Sequence, residues 1–279
     1  MSRIGERFKE LKVRQRCALI PYIAAGDPAP WVTVPLMHAL VQAGADAIEL
    51  GVPFSDPMAD GPVIQRGAER ALKQGMTMAK TLEMVREFRR QDSATPVLLM
   101  GYLNPIEVMG YERFAEAIAA AGVDGTITVD LPPEEADDFV AALKKQGVDA
   151  IFLLAPTSPP ERMERIAQTA GGFIYYVSLR GVTGAAHLDV AEIADKLKAI
   201  RRYGKLPVGV GFGIDSPERA AQVAAVADAV IVGSAIVKRM EERMAQPDRL
   251  LADVPLFLAS LRQAMDAGQD TGRVFGAKP

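Results

Sequence analysis

Apolar residues gather into eight short runs along the chain. They are "ALIPYIA" (18–24), "DAIEL" (46–50), "PVLLMGY" (96–102), "GTITV" (125–129), "DAIFLL" (149–154), "FIYYV" (173–177), "LPVGVGF" (206–212) and "DAVIVG" (228–233). Within each run the apolar positions are nearly continuous. A strand with one wet face alternates apolar and polar residues, whereas a strand covered on both faces does not. The runs therefore predict parallel strands buried beneath helices.

Between the runs the period lengthens. In "PEEADDFVAALKKQG", Ala136, Phe139, Val140 and Leu143 recur at helical spacing with charges on the other face, and Gly147 follows as a stop. "YERFAEAIAAAG" sets Phe114, Ile118 and Ala121 on one side and ends at Gly122. "SPERAAQVAAVA" opens with Ser216 as N-cap, Pro217 at the first helical position and Glu218 in the first turn. Four strands begin alike, in "AGADAIEL", "AGVDGTIT", "QGVDAIFL" and "AVADAVIV": a helix end, an aspartate, then the strand. The repeat of about thirty residues fits one βαβ crossover.

Eight such units predict an α/β chain folded as a TIM (β/α)8 barrel. An extra N-terminal helix is expected in "RIGERFKELK", with additional helices between the second and third strands and over 249–267. The rival, an open doubly wound sheet, would more often carry a glycine-rich dinucleotide fingerprint after its first strand; "YIAAGDPAPW" has none. The expected organisation is one barrel domain over 1–268 and a flexible tail over 269–279.

Composition narrows the function. The 279 residues are 49% hydrophobic and 24% charged, with net charge −3 and the basic residues scattered among acids, unlike a nucleic-acid surface. Cys17 is the single cysteine and lies beside an apolar run, so it reads as a small buried hydrophobe and no intrachain disulfide can form. With His38 and His187 the only histidines, no zinc spacing exists. The N-terminus lacks the apolar core of a secretory signal, and the longest apolar stretch, 223–237, is too short and interrupted to span a bilayer. A soluble cytoplasmic protein is expected.

In a barrel of this kind chemistry sits on the loops after the strands. Glu49 ends the second apolar run, and Asp56 and Asp60 follow in the proline-rich loop "GVPFSDPMADGP". A single strand-end acid is more often a rim ion pair. Two acids on one loop, with prolines fixing their separation, point to catalysis, and Asp56 before Pro57 reads first as a turn starter. Three glycine loops, "GVTG" (181–184), "GFGID" (211–215) and "GSA" (233–235), follow the last three runs. Phosphate binds at that place in many barrels, because backbone N–H groups can approach its oxygens and a helix start favours the anion. Tight turns alone would also use glycine. Tyr22, Met100, Ile127, Val129, Leu153, Tyr175 and Phe212 lie near strand ends; if they converge, they form an apolar lining, and a carboxyl there would have a raised pKa suited to acid/base work.

The ordered motifs "YIAAGDP", "ELGVPFSDPMADGPVIQ", "MGYLNP", "DLPPEE", "GVTGA", "GFGI" and "VGSAIV" span residues 22–237, and the sequence resembles the tryptophan synthase α subunits. That resemblance implies retro-aldol cleavage of indole-3-glycerol phosphate to indole and glyceraldehyde 3-phosphate. It implies Glu49 as the acid/base, Asp60 as the carboxylate that steadies charge at the indole nitrogen, and Tyr175 beside the reacting side chain. Tyr22, Met100, Ile127 and Phe212 would line the pocket. Thr183 would help close it, and Gly184, Gly213, Gly233 and Ser234 would hold the phosphate. Tyr22 stands where many members have Phe, and Met100 where Leu is familiar. The resemblance also implies a β subunit carrying pyridoxal phosphate, met through Pro53, Asp56, Asn104 and Pro132 in an αββα assembly, with no cofactor in this chain. Two other readings remain open at this level: another phosphosugar barrel such as an isomerase, and a subunit that mainly activates a partner enzyme.

Overall fold

The computed structural model describes residues 2–177, 190–211 and 213–269. The chain begins with α1 (Arg3–Val13), β1 (Ala18–Ala24), α2 (Pro30–Gln42), β2 (Ile48–Gly51), α3 (Pro62–Lys73) and α4 (Met78–Arg89). It continues through β3 (Val97–Gly101), α5 (Leu103–Met109), α6 (Tyr111–Ala121), β4 (Gly125–Thr128), a 3-10 turn (Pro133–Glu135) and α7 (Asp137–Lys145). Then come β5 (Asp149–Ile151), β6 (Leu153–Leu154), α8 (Pro160–Thr169), β7 (Ile174–Val177) and α9 (Val190–Arg201). It closes with β8 (Val208–Gly211), α10 (Pro217–Ala224), β9 (Ala229–Val232), α11 (Ser234–Arg243) and α12 (Pro247–Gln269).

All described strand pairs are parallel, in the order β5-β4-β3-β2-β1-β9-β8-β7-β6. The two ends of that order, β5 and β6, are halves of one strand flanking Phe152, whose carbonyl accepts from the Tyr175 N–H at 3.0 Å. The sheet thus closes into the expected (β/α)8 barrel, and each of the eight apolar runs contains a strand. The expected N-terminal helix is α1, the helices between the second and third strands are α3 and α4, and the final one is α12.

Period-two geometry sorts the strand residues into two layers. Leu19, Ile23, Ile48, Leu50, Val97, Leu99, Val208, Val210, Val230 and Val232 pack outward against the helices. Ala18, Ile20, Ala47, Leu98, Ile127, Ile151, Phe173, Ala229 and Ile231 fill the barrel, and Ile4 and Leu11 of α1 close its lower end. Phe8 meets the Phe173 ring at 5.7 Å, continuing that plug. Cys17 is buried in the outer layer, as its apolar setting predicts.

The repeated aspartates at the strand starts have a defined task. Asp46 accepts from the Leu19 N–H, Asp124 from the Val97 N–H and Asp228 from the Val208 N–H, each at 2.9 Å. Each satisfies a donor at the beginning of a neighbouring strand, where the ladder leaves one over. Arg262 pairs with Asp46, Arg3 and Arg89 with Asp124, and Arg201 with Asp228. Asp149 instead accepts from the Ser2 hydroxyl. These carboxylates lie at the strand starts and serve the fold, leaving the opposite rim for chemistry. Helix ends follow the sequence signals: Ser216 accepts from the Arg219 N–H, and Gly122 and Gly147 have φ of +88° and +70°.

Candidate active site

Glu49 is an inward residue of β2, in register with Tyr22 on β1 and Leu98 on β3. It is 2% exposed, and its Oε2 has no hydrogen-bond partner. Burial, then the charge of Asp60, raises its pKa to about 8. Near neutrality the side chain is therefore mostly the carboxylic acid, with a proton to give.

Asp60 comes from the loop after β2, which is pinned along its length. The Met58 N–H donates to the Asp56 carbonyl at 2.8 Å, the Asp60 N–H to the Pro57 carbonyl at 3.1 Å, and the Gln65 amide to the Asp60 carbonyl at 2.9 Å. Pro62 then starts α3. The Tyr102 hydroxyl accepts from the Ala59 N–H at 3.1 Å and is hydrogen-bonded to the Asp60 carboxylate. Tyr102 is itself held by the Phe54 ring, 5.3 Å between centroids. Burial raises the Asp60 pKa to about 6 against the lowering pull of Tyr102. Two carboxyls on one wall thus titrate apart, one an acid and the other an anion near pH 7, which is the division of labour a proton-moving site needs.

Both acids line a cavity of about 570 Å³ at the strand C-termini, with Tyr22, Met100, Ile127, Val129, Leu153 and Tyr175 around them. The apolar residues singled out in the sequence do converge, except Phe212, which lies outside the described residues. Tyr22 is buried and Tyr175 half-buried near the carboxylates, and desolvation first, negative charge second, holds both phenols well above their ordinary pKa. They act as neutral hydroxyls.

Two inward glycines accommodate these rings. A Cβ on Gly51 would collide with the Tyr22 hydroxyl, and one on Gly211 with that of Tyr175. Gly211→Ala is expected to push Tyr175 into the cavity and raise KM for the substrate about tenfold or more, at about 1–3 kcal/mol of stability. Steady-state kinetics beside thermal denaturation checks both.

Gly213, Gly233 and Ser234 also line the cavity, with Ile214 and Ala235. Gly213 has φ +72°, and Ser234 begins α11, so a helix start faces the space. Around the end of β1, Asp27 accepts two bonds from Arg70 (2.7 and 2.9 Å), and Arg70 and Arg66 both reach Glu241. This network fixes α11 against α3, and with it the glycine loop against the acid loop. Thr183 and Gly184 lie outside the described residues.

Tyr102, Gly61, Ile64, Ser158 and Arg162 belong to the site or its supports without a sequence signal that singles them out. Tyr102 closes an apolar strand run, and only its hydroxyl bonds reveal its place. Tyr102→Phe is expected to raise the Asp60 pKa and cost about tenfold in rate, the effect of one lost hydrogen bond to a charged group. A pH–rate profile with its acid limb moved upward would show it. Among the described residues no group of His, Cys, Asp or Glu gathers as a metal site, and no helix is long and apolar enough to cross a membrane.

A closed parallel barrel with an acid and an anion on one wall of an apolar cavity, beside glycine loops and a helix start, defines an enzyme of barrel type. Its chemistry suits proton transfer on an apolar substrate that carries an anionic end. Comparison with known proteins narrows the class. The family model "Tryptophan synthase alpha chain" matches residues 8–266. The tryptophan synthase alpha chain of Nitrosococcus oceani is 59% identical over 270 residues, covering 97% of this chain and 100% of that one. That of Thioalkalivibrio sulfidiphilus is 60% identical over 266 residues, covering 95% and 100%. The crystal structure of tryptophan synthase subunit alpha from Legionella pneumophila superposes with a TM-score of 0.90 at 49% identity, covering 96% of this chain and 99% of that one. The chain belongs to the tryptophan synthase alpha chain family.

Proposed function

We propose that Glu49 and Asp60 carry out retro-aldol cleavage of indole-3-glycerol phosphate, the lyase reaction of this family. The observation that carries the reading is the buried, unpartnered Oε2 of Glu49 in an apolar cavity that Asp60 also lines.

Protonated Glu49 gives its proton to C3 of the indole ring. The ring becomes an indolenine cation, its positive charge on N1–H, where the Asp60 carboxylate accepts the hydrogen bond. That interaction is stronger in the charged intermediate than in the neutral substrate, so it lowers the barrier. Glu49, now a carboxylate, takes the proton of the side-chain hydroxyl on the carbon attached to C3. As the C–C bond breaks, its electrons return to the ring and the hydroxyl carbon becomes the aldehyde of glyceraldehyde 3-phosphate. Glu49 ends protonated again. The Tyr175 hydroxyl lies beside the reacting side chain, Tyr22, Met100 and Ile127 hold the ring, and Gly213, Gly233 and Ser234 receive the phosphate. Incubation with indole-3-glycerol phosphate should release indole and glyceraldehyde 3-phosphate in equal amounts; a chain that releases neither overturns the reading.

A β subunit binds the rim formed by the loops after β2, β3 and β4 in an αββα complex, in the cytoplasm, and the pyridoxal phosphate of the combined enzyme belongs to that partner. Supporting this, Asp56 and Asn104 are exposed and Pro132 is half-buried. Met58, on the loop after β2, and Val108, in α5 after β3, are apolar yet 83% and 85% exposed. Pro53 is buried within the chain, so its contribution is to shape the turn that presents Asp56.

A further inference from the structure

The charged side chains around the cavity are unevenly matched to a phosphate ester. Among the described lining residues three are acids, Glu49, Asp60 and Asp215, and one is a cation, Arg162. A dianionic substrate thus meets a cavity in which the described acids outnumber the cations three to one. Arg162 occupies the boundary: it lines the cavity and also a shallow outer groove with Glu134, Pro159, Glu161 and Arg165.

Its place is not explained by the helix. Arg162 falls in the first turn of α8, where the macrodipole disfavours a cation. Its ion-pair partner among the described residues is Glu134, at 3.1 Å, with the two side chains 39% and 54% exposed. A pair so open to water contributes little and separates easily. Arg165, one turn on, has an equally open pair with Asp137 at 2.6 Å and also donates to the Pro133 carbonyl, but it lines the outer groove and not the cavity.

We propose that Arg162 recruits the phosphate end of the substrate at the cavity mouth, exchanging Glu134 for the incoming phosphate ester. The proposal rests on the functional reading above for the identity of that ester. Glu134 parks the guanidinium when the site is empty, and the substrate's double charge outcompetes it. Arg162 takes no part in the proton transfers, so it acts on binding and association.

Two substitutions separate this role from a structural one, because both break the same ion pair. Arg162→Gln removes the cation and should raise KM about tenfold at unchanged kcat, with a flatter salt dependence of kcat/KM. Glu134→Gln frees the cation and should lower KM about twofold. Arg162→Lys should keep most of the wild-type value. Calorimetry with glycerol 3-phosphate should show affinity about tenfold weaker in Arg162→Gln, while indole, which has no phosphate, binds all variants alike. Unchanged glycerol 3-phosphate affinity in Arg162→Gln, or equal losses in Arg162→Gln and Glu134→Gln, would overturn the proposal. A wild-type chain that binds glycerol 3-phosphate but releases no indole would overturn the functional reading and leave the Arg162 binding result to stand or fall by itself.

Discussion

Glu49→Gln is expected to lower kcat for indole release by about 10³-fold or more, with KM little changed. General acid–base catalysis by one group contributes typically about 10²–10⁴. In the proposed reaction the same carboxyl both delivers the proton to C3 and removes one from the side-chain hydroxyl, so its loss affects two transfers. Glutamine keeps the shape and has no proton to exchange. The fold should survive and become less sensitive to alkali. The folded Glu49 pKa, about 8, stands above its ordinary value of 4.5. The ionised form is thus disfavoured in the folded chain, and stability falls as pH rises from about 4.5 to about 8. Below that window the penalty is absent; above it the penalty is complete. Glu49→Gln removes it, so the variant should melt higher than wild type at pH 9 and at nearly the same temperature at pH 5. Turnover within tenfold of wild type would remove Glu49 from the mechanism.

Asp60→Asn is expected to cost about 10²- to 10³-fold in kcat, the range for losing one preorganised electrostatic group at a developing charge. Asparagine can still accept a hydrogen bond from N1–H but cannot balance the indolenine cation. The glycine loops proposed to hold the phosphate are untouched, so glycerol 3-phosphate should bind as in wild type. Loss of that binding would mean that Asp60 organises the site as a whole and has no specific task at the ring nitrogen.

Much of this site was legible in the chain because barrel geometry turns sequence position into spatial position. A carboxylate near the end of a buried run, such as Glu49, has to lie at the catalytic end of the barrel. A glycine loop after the last strand, such as Gly233–Ser234, has to open a helix there. The inward or outward direction of each strand residue could not be assigned without the register. That left the convergence of Tyr22, Met100, Ile127 and Tyr175 conditional until the strands were paired. Asp46, Asp124 and Asp228 were visible as a repeat, but their bonds to neighbouring strands depend on partners 20 to 27 residues away. Tyr102 and Arg162 were not legible. One sat at the end of an apolar run and the other among the mixed charges of a helix start, and neither local pattern encodes what its polar end meets. The break at Phe152 is likewise a matter of pairing, invisible in the continuous run "DAIFLL".

In the proposed reaction Asp60 works as an anion while Glu49 works as an acid. The most direct measurement is the pH dependence of kcat/KM for indole release by the wild type and by Asp60→Asn. The wild type should give a bell, with an acid limb near 6 from Asp60 and an alkaline limb near 8 from Glu49. In Asp60→Asn the acid limb should vanish and the alkaline limb move to lower pH, because the charge of Asp60 helps hold the Glu49 pKa up. A wild-type profile flat from pH 5 to 9, or a variant with both limbs unmoved, would contradict the assignment of the pair.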